Sequence, residues 1–290
     1  MKEKKRGLLL NVFIYATAFT VAAVPFVLID DMLAASAAFT AAATVAVFAA
    51  SCVLSDVSVY DPYWSVAPPV IIAADMIKYR IFNANAAVLL LILLVWSVRL
   101  TANWVYTYKG VGHEDWRYAT YREKYPLPLF LFISFTGLHF VPTIVVYAGL
   151  ISAMLAIRTD AFSPFSLIGA AVMIGAVVLE SISDNAIHRF LREHKEEKRT
   201  CDVSVWRYSR HPNYLGEMSF WCGLYLYYLA LCPAQWYKGT GFLLIILLFL
   251  FVSIPMMEKH NMQRRKDYAE YRAKTSVLLI LPNKRTKKED

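Results

Sequence analysis

The chain has 290 residues, of which 58% are hydrophobic and 18% are charged, and its formal net charge is +8. A soluble domain is about 45–50% apolar, so this composition excludes a soluble enzyme, a disordered chain and a nucleic-acid-binding domain with a basic surface. Several apolar runs reach the length of about 20 residues that spans a hydrocarbon core. We therefore expect an all-α, polytopic integral membrane helical bundle whose main partner is the lipid bilayer, with no nucleic-acid partner.

Eight apolar segments are candidate membrane helices, and about seven or eight of them are expected to cross the bilayer: residues 8–29, 33–54, 64–77, 84–104, 127–157, 164–183, 214–231 and 241–257. The first is too long for the apolar part of a signal peptide and ends at Asp30-Asp31, so it is expected to be an uncleaved helix. The third is short and contains Pro68-Pro69, which is consistent with a broken or re-entrant segment. The fifth is long enough to tilt, to kink at Pro142 or to form two segments.

The positive charges indicate how these helices are oriented. If the N-terminus is cytoplasmic, 26 of the 30 Lys and Arg residues lie on the cytoplasmic side, and the others are Lys78, Arg80, Arg158 and Lys238. Cytoplasmic loops of membrane proteins carry such an excess, so both termini are predicted to be cytoplasmic. A site formed by the polar loops would then open to the cytoplasm: residues 55–63, 106–125, 188–213 and 258–290.

Polar and ionisable residues near the ends of the predicted helices indicate a polar interior. A charged side chain at the centre of a lipid-facing helix costs about 2.5–3.5 kcal/mol, so these residues are expected to face one another or a ligand. They occur at helical spacing, which places them on common helix faces: Trp96, Arg99 and Asn103; Glu180, Asp184 and His188; Asn213 and Glu217. Two interpretations are open, a structural ion-pair network and a site for a charged ligand, and the neighbouring basic loops favour the site.

The segment Trp206-Arg-Tyr-Ser-Arg-His-Pro-Asn-Tyr-Leu-Gly-Glu217 is the most informative in the chain. Pro212 suits the first turn of a helix, where a missing N–H costs nothing. Three basic side chains then lie just outside a helix N-terminus, which itself favours an anion: Arg207, Arg210 and His211. The pattern predicts a site for a polyanionic nucleotide, because a simple juxtamembrane basic cluster would not require Asn213 and Glu217.

Motifs of other cofactor sites are missing from the sequence. Gly110-Val-Gly112 lacks the third glycine of a Rossmann dinucleotide fingerprint, and there is no Walker A motif. The four cysteines form neither a Cys-x-x-Cys motif nor a Cys/His spacing typical of zinc. No metal is therefore predicted.

These features together resemble the membrane steroid 5α-reductase-like superfamily, in particular its bacterial branch related to 3-oxo-5α-steroid 4-dehydrogenases. The resemblance covers most of the chain from about Asp56 and depends on five groups of residues: Asp61-Pro-Tyr-Trp64, Arg99 with Asn103-Trp104, Ser183-Asp184, the segment 206–217, and Glu258 with Tyr268-x-x-Tyr271 and Pro282. It implies an α-helical bundle that binds NADPH from the cytoplasmic side. It also implies reduction of a carbon–carbon double bond conjugated to a ketone in a steroid or other lipid-like substrate.

The resemblance implies cofactor-binding roles for residues that match the family's motifs. These are Arg99, Asn103, Asp184, Arg207, Arg210, His211, Asn213, His260 and Tyr271. Glu217 belongs to the same polar cluster, and Glu180 is assigned to the cofactor site because it lies on the helix face of Asp184.

The catalytic residues implied by the resemblance are centred on Asp61, which takes the place of the family's carbonyl-polarising Glu. Trp96 replaces the tyrosine that shares this carbonyl, and its indole N–H donates one hydrogen bond but is no phenolic acid. Tyr60 or Tyr63 is the alternative source of a phenol. A protonated Asp61 would donate to the oxygen on which charge develops during hydride transfer. A second interpretation is that Asp61, which precedes Pro62, caps a helix.

Two other functional classes are open from the sequence. Membrane methyltransferases of the isoprenylcysteine carboxyl type are similar in the Arg-His-Pro-x-Tyr block and bind S-adenosylmethionine; the arginines favour NADPH, because S-adenosylmethionine has no phosphate. A non-enzymatic lipid-binding protein with the same fold is the third class. The predicted organisation is an N-terminal transmembrane hairpin at residues 1–55 and a catalytic domain at 56–290. Substrate identity, NADPH versus NADH and oligomeric state are left open by the sequence.

Overall fold

The computed structural model of the chain describes residues 2–195, 197 and 199–283. Over these residues the backbone is helical, with one isolated bridge between Ser209 and Ser276 and no β-sheet. The all-α fold class is therefore confirmed. The α-helices are α1 (Lys2–Leu28), α2 (Met32–Leu54), α3 (Tyr63–Lys78), α4 (Ala84–Thr107), α5 (Trp116–Lys124), α6 (Leu127–Ile133), α7 (Val141–Ala156), α8 (Ser166–Glu193), α9 (Pro212–Leu231), α10 (Phe242–Leu248), α11 (Ile254–Arg264) and α12 (Tyr268–Lys274).

Short helical segments of other kinds join some of these helices. The 3₁₀ turns in the described part of the chain are Val57–Tyr60, Ser204–Arg207 and Pro233–Gly239. The π-helical turns there are Ser134–Phe140 and Phe249–Ser253.

Six helical segments in the described ranges are long and apolar enough to cross a membrane: Glu3–Leu28, Met32–Leu54, Ala84–Thr107, Leu127–Ala156, Ser166–Glu193 and Pro233–Arg264. Each has at least 18 residues and a strongly apolar window. The prediction of a multi-pass membrane protein is therefore confirmed. The two predicted spans at 64–77 and 214–231 correspond to α3 and α9, which form as helices but are not among these six.

The structure refines three of the predicted segments. α3 is continuous through Pro68 and Pro69, so a break at the prolines is wrong. Leu127–Ala156 is one helical segment whose π-helical turn immediately precedes Pro142. A proline lacks the N–H for the regular helical hydrogen bond, and a wider turn accommodates this loss. α8 extends ten residues beyond the predicted end at residue 183, because residues 184–193 contain neither glycine nor proline although they are polar.

The chain forms two compact units. Unit 1 comprises Met1–Phe162 and Ala234–Gly241, and unit 2 comprises Ser163–Pro233 and Phe242–Asp290. The predicted division at residues 55 and 56 concerns a functional domain and stays a prediction. Residues 284–290 of that domain lie outside the described residues.

Polar side chains fix the helix starts in unit 1. Asp31 accepts a hydrogen bond from the backbone N–H of Ala34 at 2.8 Å and begins α2. Asn83 begins α4 in the same way, and Asp115 begins α5 through the N–H of Arg117 at 2.9 Å. Such caps satisfy backbone donors that a helix leaves unpaired. The third cap matters for function because it positions the short helix α5.

The contact of α8 with α9 forms the centre of unit 2. A Cβ atom added to Gly169 would lie 2.4 Å from the backbone nitrogen of Tyr227 and 2.6 Å from the carbonyl oxygen of Gly223. Glycine is therefore required at this crossing, since it allows the two backbones to approach closely. This contact sets the position of the residues farther along both helices, including Glu180 and Glu217.

Candidate functional site

Asp61 lies between the 3₁₀ turn Val57–Tyr60 and α3, and its carboxylate contacts two residues of α5. The phenol of Tyr118 donates a hydrogen bond to Asp61 Oδ1 at 2.5 Å, and a terminal nitrogen of Arg117 lies 3.6 Å from the same oxygen. Only 17% of the Asp61 side chain is exposed. Unit 1 therefore contains a nearly buried pair of a carboxyl group and a phenol, with a guanidinium beside it.

The protonation of this pair is set mainly by burial. Burial raises the pKa of Asp61 to about 6, although the charge of Arg117 and the hydrogen bond from Tyr118 act in the opposite direction. Burial and the charge of Asp61 also hold the pKa of the Tyr118 phenol well above its usual value. Since burial disfavours the charged form of an acid, the pair retains protons that a solvent-exposed pair would release. Such a pair is able to donate a hydrogen bond to an oxygen that gains negative charge.

The two tyrosines predicted to supply the phenol have other hydrogen-bond partners. The Tyr60 hydroxyl lies 2.8 Å from Thr143 Oγ1, and the Tyr63 hydroxyl donates to the carbonyl oxygen of Thr40 at 3.2 Å. Both side chains are almost completely buried. The structure thus pairs Asp61 with Tyr118, and a catalytic role for Tyr60 or Tyr63 stays a prediction.

α3 begins at Tyr63, and in the described structure no side-chain hydrogen bond caps it. The alternative interpretation of Asp61 as a helix cap is therefore wrong. The physical reason is that the Asp61 carboxylate points to α5, where Tyr118 and Arg117 satisfy it.

The other predicted residues of unit 1 lie on α4. Trp96 is fully buried, and its ring centroid is 6.2 Å from that of Trp64. Arg99 and Asn103 follow at helical spacing on α4 and are partly buried. The structure thus assigns Trp96, Arg99 and Asn103 to the same unit as Asp61.

Unit 2 contains a second polar cluster, centred on the carboxylate of Glu258 in α11. Tyr268 donates a hydrogen bond to Glu258 Oε1 at 2.6 Å, and His211 Nε2 lies 2.9 Å from the same oxygen. Two guanidinium groups approach Oε2, that of Arg210 at 3.4 Å and that of Arg272 at 3.3 Å. Glu258 thereby holds the predicted Arg210 and His211 in place just before α9.

The C-terminal segment after α11 fixes the backbone of residues 206–211. The Tyr271 hydroxyl is within hydrogen-bond distance of two backbone oxygens, that of Trp206 at 2.5 Å and that of Ser209 at 3.2 Å. The backbone N–H of Arg210 donates to the carbonyl oxygen of Ser276 at 2.9 Å. Tyr271, predicted as a cofactor ligand, therefore also has a structural function.

A cavity of about 160 Å³ lies beside this cluster in unit 2. Among the predicted cofactor residues, its wall includes Arg210, His211, Asn213 and Tyr271. Tyr268, which belongs to the Tyr268-x-x-Tyr271 motif, also lines it, together with three polar side chains that the sequence did not indicate: Thr200, Asn261 and Arg265. Arg210 has a buried Nε–H with no hydrogen-bond partner among the described residues. Pro212 is in the first turn of α9, as predicted, so the helix N-terminus lies at the same cavity.

The remaining predicted residues of unit 2 do not line this cavity. Glu180 and Asp184 are buried on α8, and Glu217 on α9 accepts a hydrogen bond from the Trp221 indole at 2.8 Å. A Cβ atom on Gly216 would lie 2.3 Å from Glu180 Cγ, so the Glu180 side chain packs directly on α9.

Two other predicted residues lie toward the surface of unit 2. Arg207 is exposed, and His260 Nε2 lies 3.3 Å from a guanidinium nitrogen of Arg264. No group of three or more His, Cys, Asp or Glu residues in the described part of the chain is arranged to hold a metal ion.

The model of a family described as "Protein of unknown function (DUF1295)" matches residues 47–275. The chain belongs to this family. The matched region contains both the Asp61–Tyr118 pair and the Glu258 cluster. An uncharacterised protein of Schizosaccharomyces pombe is 25% identical over 173 residues, which are 51% of this chain and 50% of that protein. The chain thus spans about half the length of this relative, and no solved structure matches it.

In this member of the DUF1295 family, sequence reasoning missed Tyr118 as the partner of Asp61. The run Asp115-Trp-Arg-Tyr118 is a recognisable capped helix start, but its distance of 57 residues from Asp61 gives no local signal. Asn261 and Arg265 were missed for a different reason. Asn261 lies near the end of α11 and Arg265 directly follows this helix, and basic and polar residues at the end of a membrane helix are common.

Proposed function

We propose that the chain is a membrane-bound, NADPH-dependent reductase that acts on the carbon–carbon double bond of an enone in a lipid-like substrate, such as a 3-oxo-Δ4-steroid. The observation that carries the proposal is the 2.5 Å hydrogen bond between the Tyr118 phenol and the nearly buried Asp61 carboxyl group. Reduction of an enone develops negative charge on the ketone oxygen. A pair of acidic donors in a water-poor site stabilises such charge.

The residues of unit 1 would hold the substrate's carbonyl. When bound, NADPH supplies the hydride that adds to the β-carbon of the enone. Tyr118 donates a hydrogen bond to the carbonyl oxygen. The protonated form of Asp61 either donates a second hydrogen bond to this oxygen or returns a proton to the phenol of Tyr118. Arg117, 3.6 Å from Asp61, stabilises whichever member of the pair is ionised. The resulting enolate then takes a proton from solvent at its α-carbon, which completes the addition of hydride and proton.

The cavity of unit 2 supplies groups that fit the anionic part of NADPH. Its wall combines the guanidinium groups of Arg210 and Arg265 with the amide of Asn213 at the start of α9. The buried Nε–H of Arg210, which has no acceptor in the described structure, suits a phosphate oxygen. A helix N-terminus adds unpaired backbone donors and a favourable dipole. Arg210, His211, Asn213, Asn261 and Arg265 would hold this part of the cofactor.

The proposal includes seven or eight membrane crossings, with both termini and the site on the cytoplasmic side. α9 has 20 residues, which at 1.5 Å per residue is about 30 Å and sufficient to cross a hydrocarbon core. α3 has 16 residues and would cross only a thinned or locally deformed bilayer. The excess of Lys and Arg in the loops assigned to the cytoplasm supports this orientation. Green fluorescent protein fused to the C-terminus should fluoresce, whereas a fused periplasmic phosphatase should be inactive.

Cofactor binding is tested first. Detergent-solubilised full-length protein is titrated with NADPH while nicotinamide fluorescence is followed, and a parallel titration uses S-adenosylmethionine. We expect NADPH to bind, and Arg210→Gln to weaken it at least tenfold, because a charged hydrogen bond contributes about 1.5–3 kcal/mol. Arg192→Gln, an exposed change on α8, is the matched control. Binding of S-adenosylmethionine alone would indicate a methyltransferase, and binding of neither would indicate a non-enzymatic lipid-binding protein.

Turnover is tested next with a panel of Δ4-3-ketosteroids and other enones, by the loss of NADPH absorbance. Tyr118→Phe should lower kcat by about 10²–10³-fold, the usual effect of removing one donor to a developing oxyanion, and leave the Kd for NADPH unchanged. Tyr121→Phe on the same helix is the control. If NADPH binds and an enone is reduced equally fast by the Tyr118→Phe variant, the assignment of the Asp61–Tyr118 pair is refuted.

A further inference from the structure

Asp75 is a second buried acid of unit 1, on α3 and separate from the Asp61 site. It has no exposed surface, and Ser36 Oγ donates a hydrogen bond to its Oδ1 at 2.8 Å. Its Oδ2 is also buried and has no hydrogen-bond partner among the described residues. In the sequence this residue lies inside the apolar segment 64–77 and was not singled out. A fully buried acid in an apolar helix, with one oxygen unpaired, requires an explanation.

Among the described residues no cation contacts the Asp75 carboxylate, and the charge of Lys78 acts on it only from a distance. Lys78, on the same helix, directs its ammonium to the backbone oxygens of Phe26 and Ile29. Tyr147, on α7, donates its hydroxyl proton to the carbonyl oxygen of Leu33 at 2.6 Å, and the exposed Asp31 is the other acid near that tyrosine. An ionised carboxylate that is buried without a cation in contact is strongly unfavourable. The neutral, protonated acid avoids this cost.

An open cavity of about 330 Å³ lies one helical turn from Asp75. It is lined by Asp30, Asp31, Met32, Tyr79, Ile81 and Arg158. Tyr79 follows Asp75 by four residues, and its backbone N–H donates to the Asp75 carbonyl oxygen at 2.9 Å. Met32 precedes Ser36 by four residues on α2. Since a helical turn rises about 5.4 Å, both members of the Asp75–Ser36 pair are one turn from the cavity wall.

Tyr79 lines this cavity, and its hydroxyl is a second unpaired polar group. It is buried and has no hydrogen-bond partner among the residues that the structure describes. The charged side chains of Asp30 and Arg158 make the rest of the cavity wall polar. A polar cavity of this size holds water. The residue one helical turn after Asp75 therefore carries a buried hydroxyl group that is able to give and accept a proton.

The hydroxyl groups that lead from Asp75 along α2, away from the cavity, do not form a continuous path for a proton. α2 continues from Ser36 with Thr40 and Thr44, which lie on the same helix face. Thr40 donates its hydroxyl proton to the carbonyl oxygen of Ser36 at 2.6 Å, and Thr44 donates to that of Thr40 at 2.8 Å. A backbone carbonyl accepts a proton in a hydrogen bond but has none to pass on. Exchange from Asp75 toward Tyr63 and Tyr60 is thus less favourable than exchange toward the cavity.

We propose that Asp75 is a buried proton-binding site, which exchanges its proton with water in the cavity lined by Asp30, Tyr79 and Arg158. In the exchange, the O–H bond of the Asp75 carboxylic acid breaks and the proton passes to a cavity water, directly or through the Tyr79 hydroxyl. The electron pair stays on the carboxylate oxygen, where the Ser36 hydroxyl stabilises it. This inference does not depend on the proposed reductase activity.

The proposal is tested with N,N′-dicyclohexylcarbodiimide, a reagent that modifies protonated carboxyl groups in apolar surroundings. Full-length protein in detergent is treated over a series of pH values, and the modified residues are identified by peptide mass spectrometry. We expect modification of Asp75, decreasing about tenfold per pH unit once the acid ionises. The exposed Asp30, Asp31 and Asp160 are internal controls in the same sample and should stay unmodified.

The route of exchange is tested by filling the cavity. Ile81→Trp places a large side chain in its wall, and Phe82→Trp, at the exposed neighbouring position, is the matched control. After a jump from alkaline to acidic buffer, modification of Asp75 should rise severalfold more slowly in Ile81→Trp than in Phe82→Trp. Equal rates would overturn the route through the cavity.

Two further results would overturn the site itself. One is recovery of the Asp75 peptide without modification at every pH. The other is protection of Asp75 by sodium ions at constant pH, which would indicate a metal-cation site in place of a proton site. Because the reagent acts on the unaltered chain, neither result depends on a variant that fails to fold, and neither depends on NADPH binding.

Discussion

Replacement of Asp61 by asparagine should make the protein more stable at neutral pH, and the size of the effect follows from the structure. Burial raises the pKa of Asp61 from 3.8 to about 6 in the folded protein. Between these values the folded state holds a proton that the unfolded chain has released, so stability falls as pH rises through this window. Each pH unit corresponds to about 1.4 kcal/mol. The ionised form therefore costs the wild-type protein about 3 kcal/mol above pH 6.

Asparagine cannot ionise, but its oxygen still accepts the hydrogen bond that Tyr118 donates to Asp61. The stability of Asp61→Asn relative to the wild type should therefore be close to zero below pH 3.8 and increase up to pH 6. Thermal unfolding in detergent, followed by tryptophan fluorescence over this pH range, measures the difference. Asp160→Asn, at an exposed position, is the control and should show no such pH dependence.

A difference between Asp61→Asn and the wild type that does not change with pH would refute this reasoning. A variant that is less stable than the wild type at neutral pH would refute it as well, because it would mean that the ion pair with Arg117 outweighs the cost of burial. Under the proposed function, the same variant should be more stable and less active. The acid would then be retained for catalysis at a cost in stability.

Three other predictions concern unit 2. Gly169→Ala should destabilise the protein by about 1–3 kcal/mol, because the new methyl group would overlap with the backbone of α9. Gly175→Ala on the same helix adds a methyl group in open space and should stabilise the protein by up to about 1 kcal/mol. Thermal unfolding of both variants measures the two changes in stability. Glu258→Ala should destabilise the protein by about 3 kcal/mol, since it leaves the nearly buried guanidinium group of Arg210 without its carboxylate. Glu258→Gln should have a smaller effect in the same assay, and equal effects would contradict the role of the charge. Burial raises the pKa of the Cys201 thiol to about 11, so iodoacetamide should alkylate it in the unfolded chain but not in the folded protein, as peptide mass spectrometry would show.

The helices were largely predictable from the sequence because their signals are local. Apolar runs predicted eight segments, each of which forms mainly helix in the structure, and Pro212 predicted the start of α9. The predictions were wrong where the extent of an apolar run differs from the extent of the helix. α8 continues into polar residues, and α3 accommodates Pro68 and Pro69 without a break. An apolar run indicates where a helix meets lipid, and not where its backbone hydrogen bonds end.

The candidate site was predictable only in part, for the same reason. The 206–217 segment could be interpreted alone, because a helix start with adjacent basic residues is a local pattern, and Arg210, His211 and Asn213 do line one cavity. The carboxylate that holds Arg210 and His211 is Glu258, 47 residues after His211. No spacing rule connects residues so far apart.

The sequence by itself determined that the chain is a helical membrane protein, because hydropathy and charge act on each segment separately. Only the tertiary structure decided that Tyr118, and neither Tyr60 nor Tyr63, donates to Asp61, and that Asp75 is enclosed with Ser36. Those pairings depend on how α2, α3 and α5 pack against one another. The packing is set by contacts summed over whole helix faces, so no short stretch of residues encodes it.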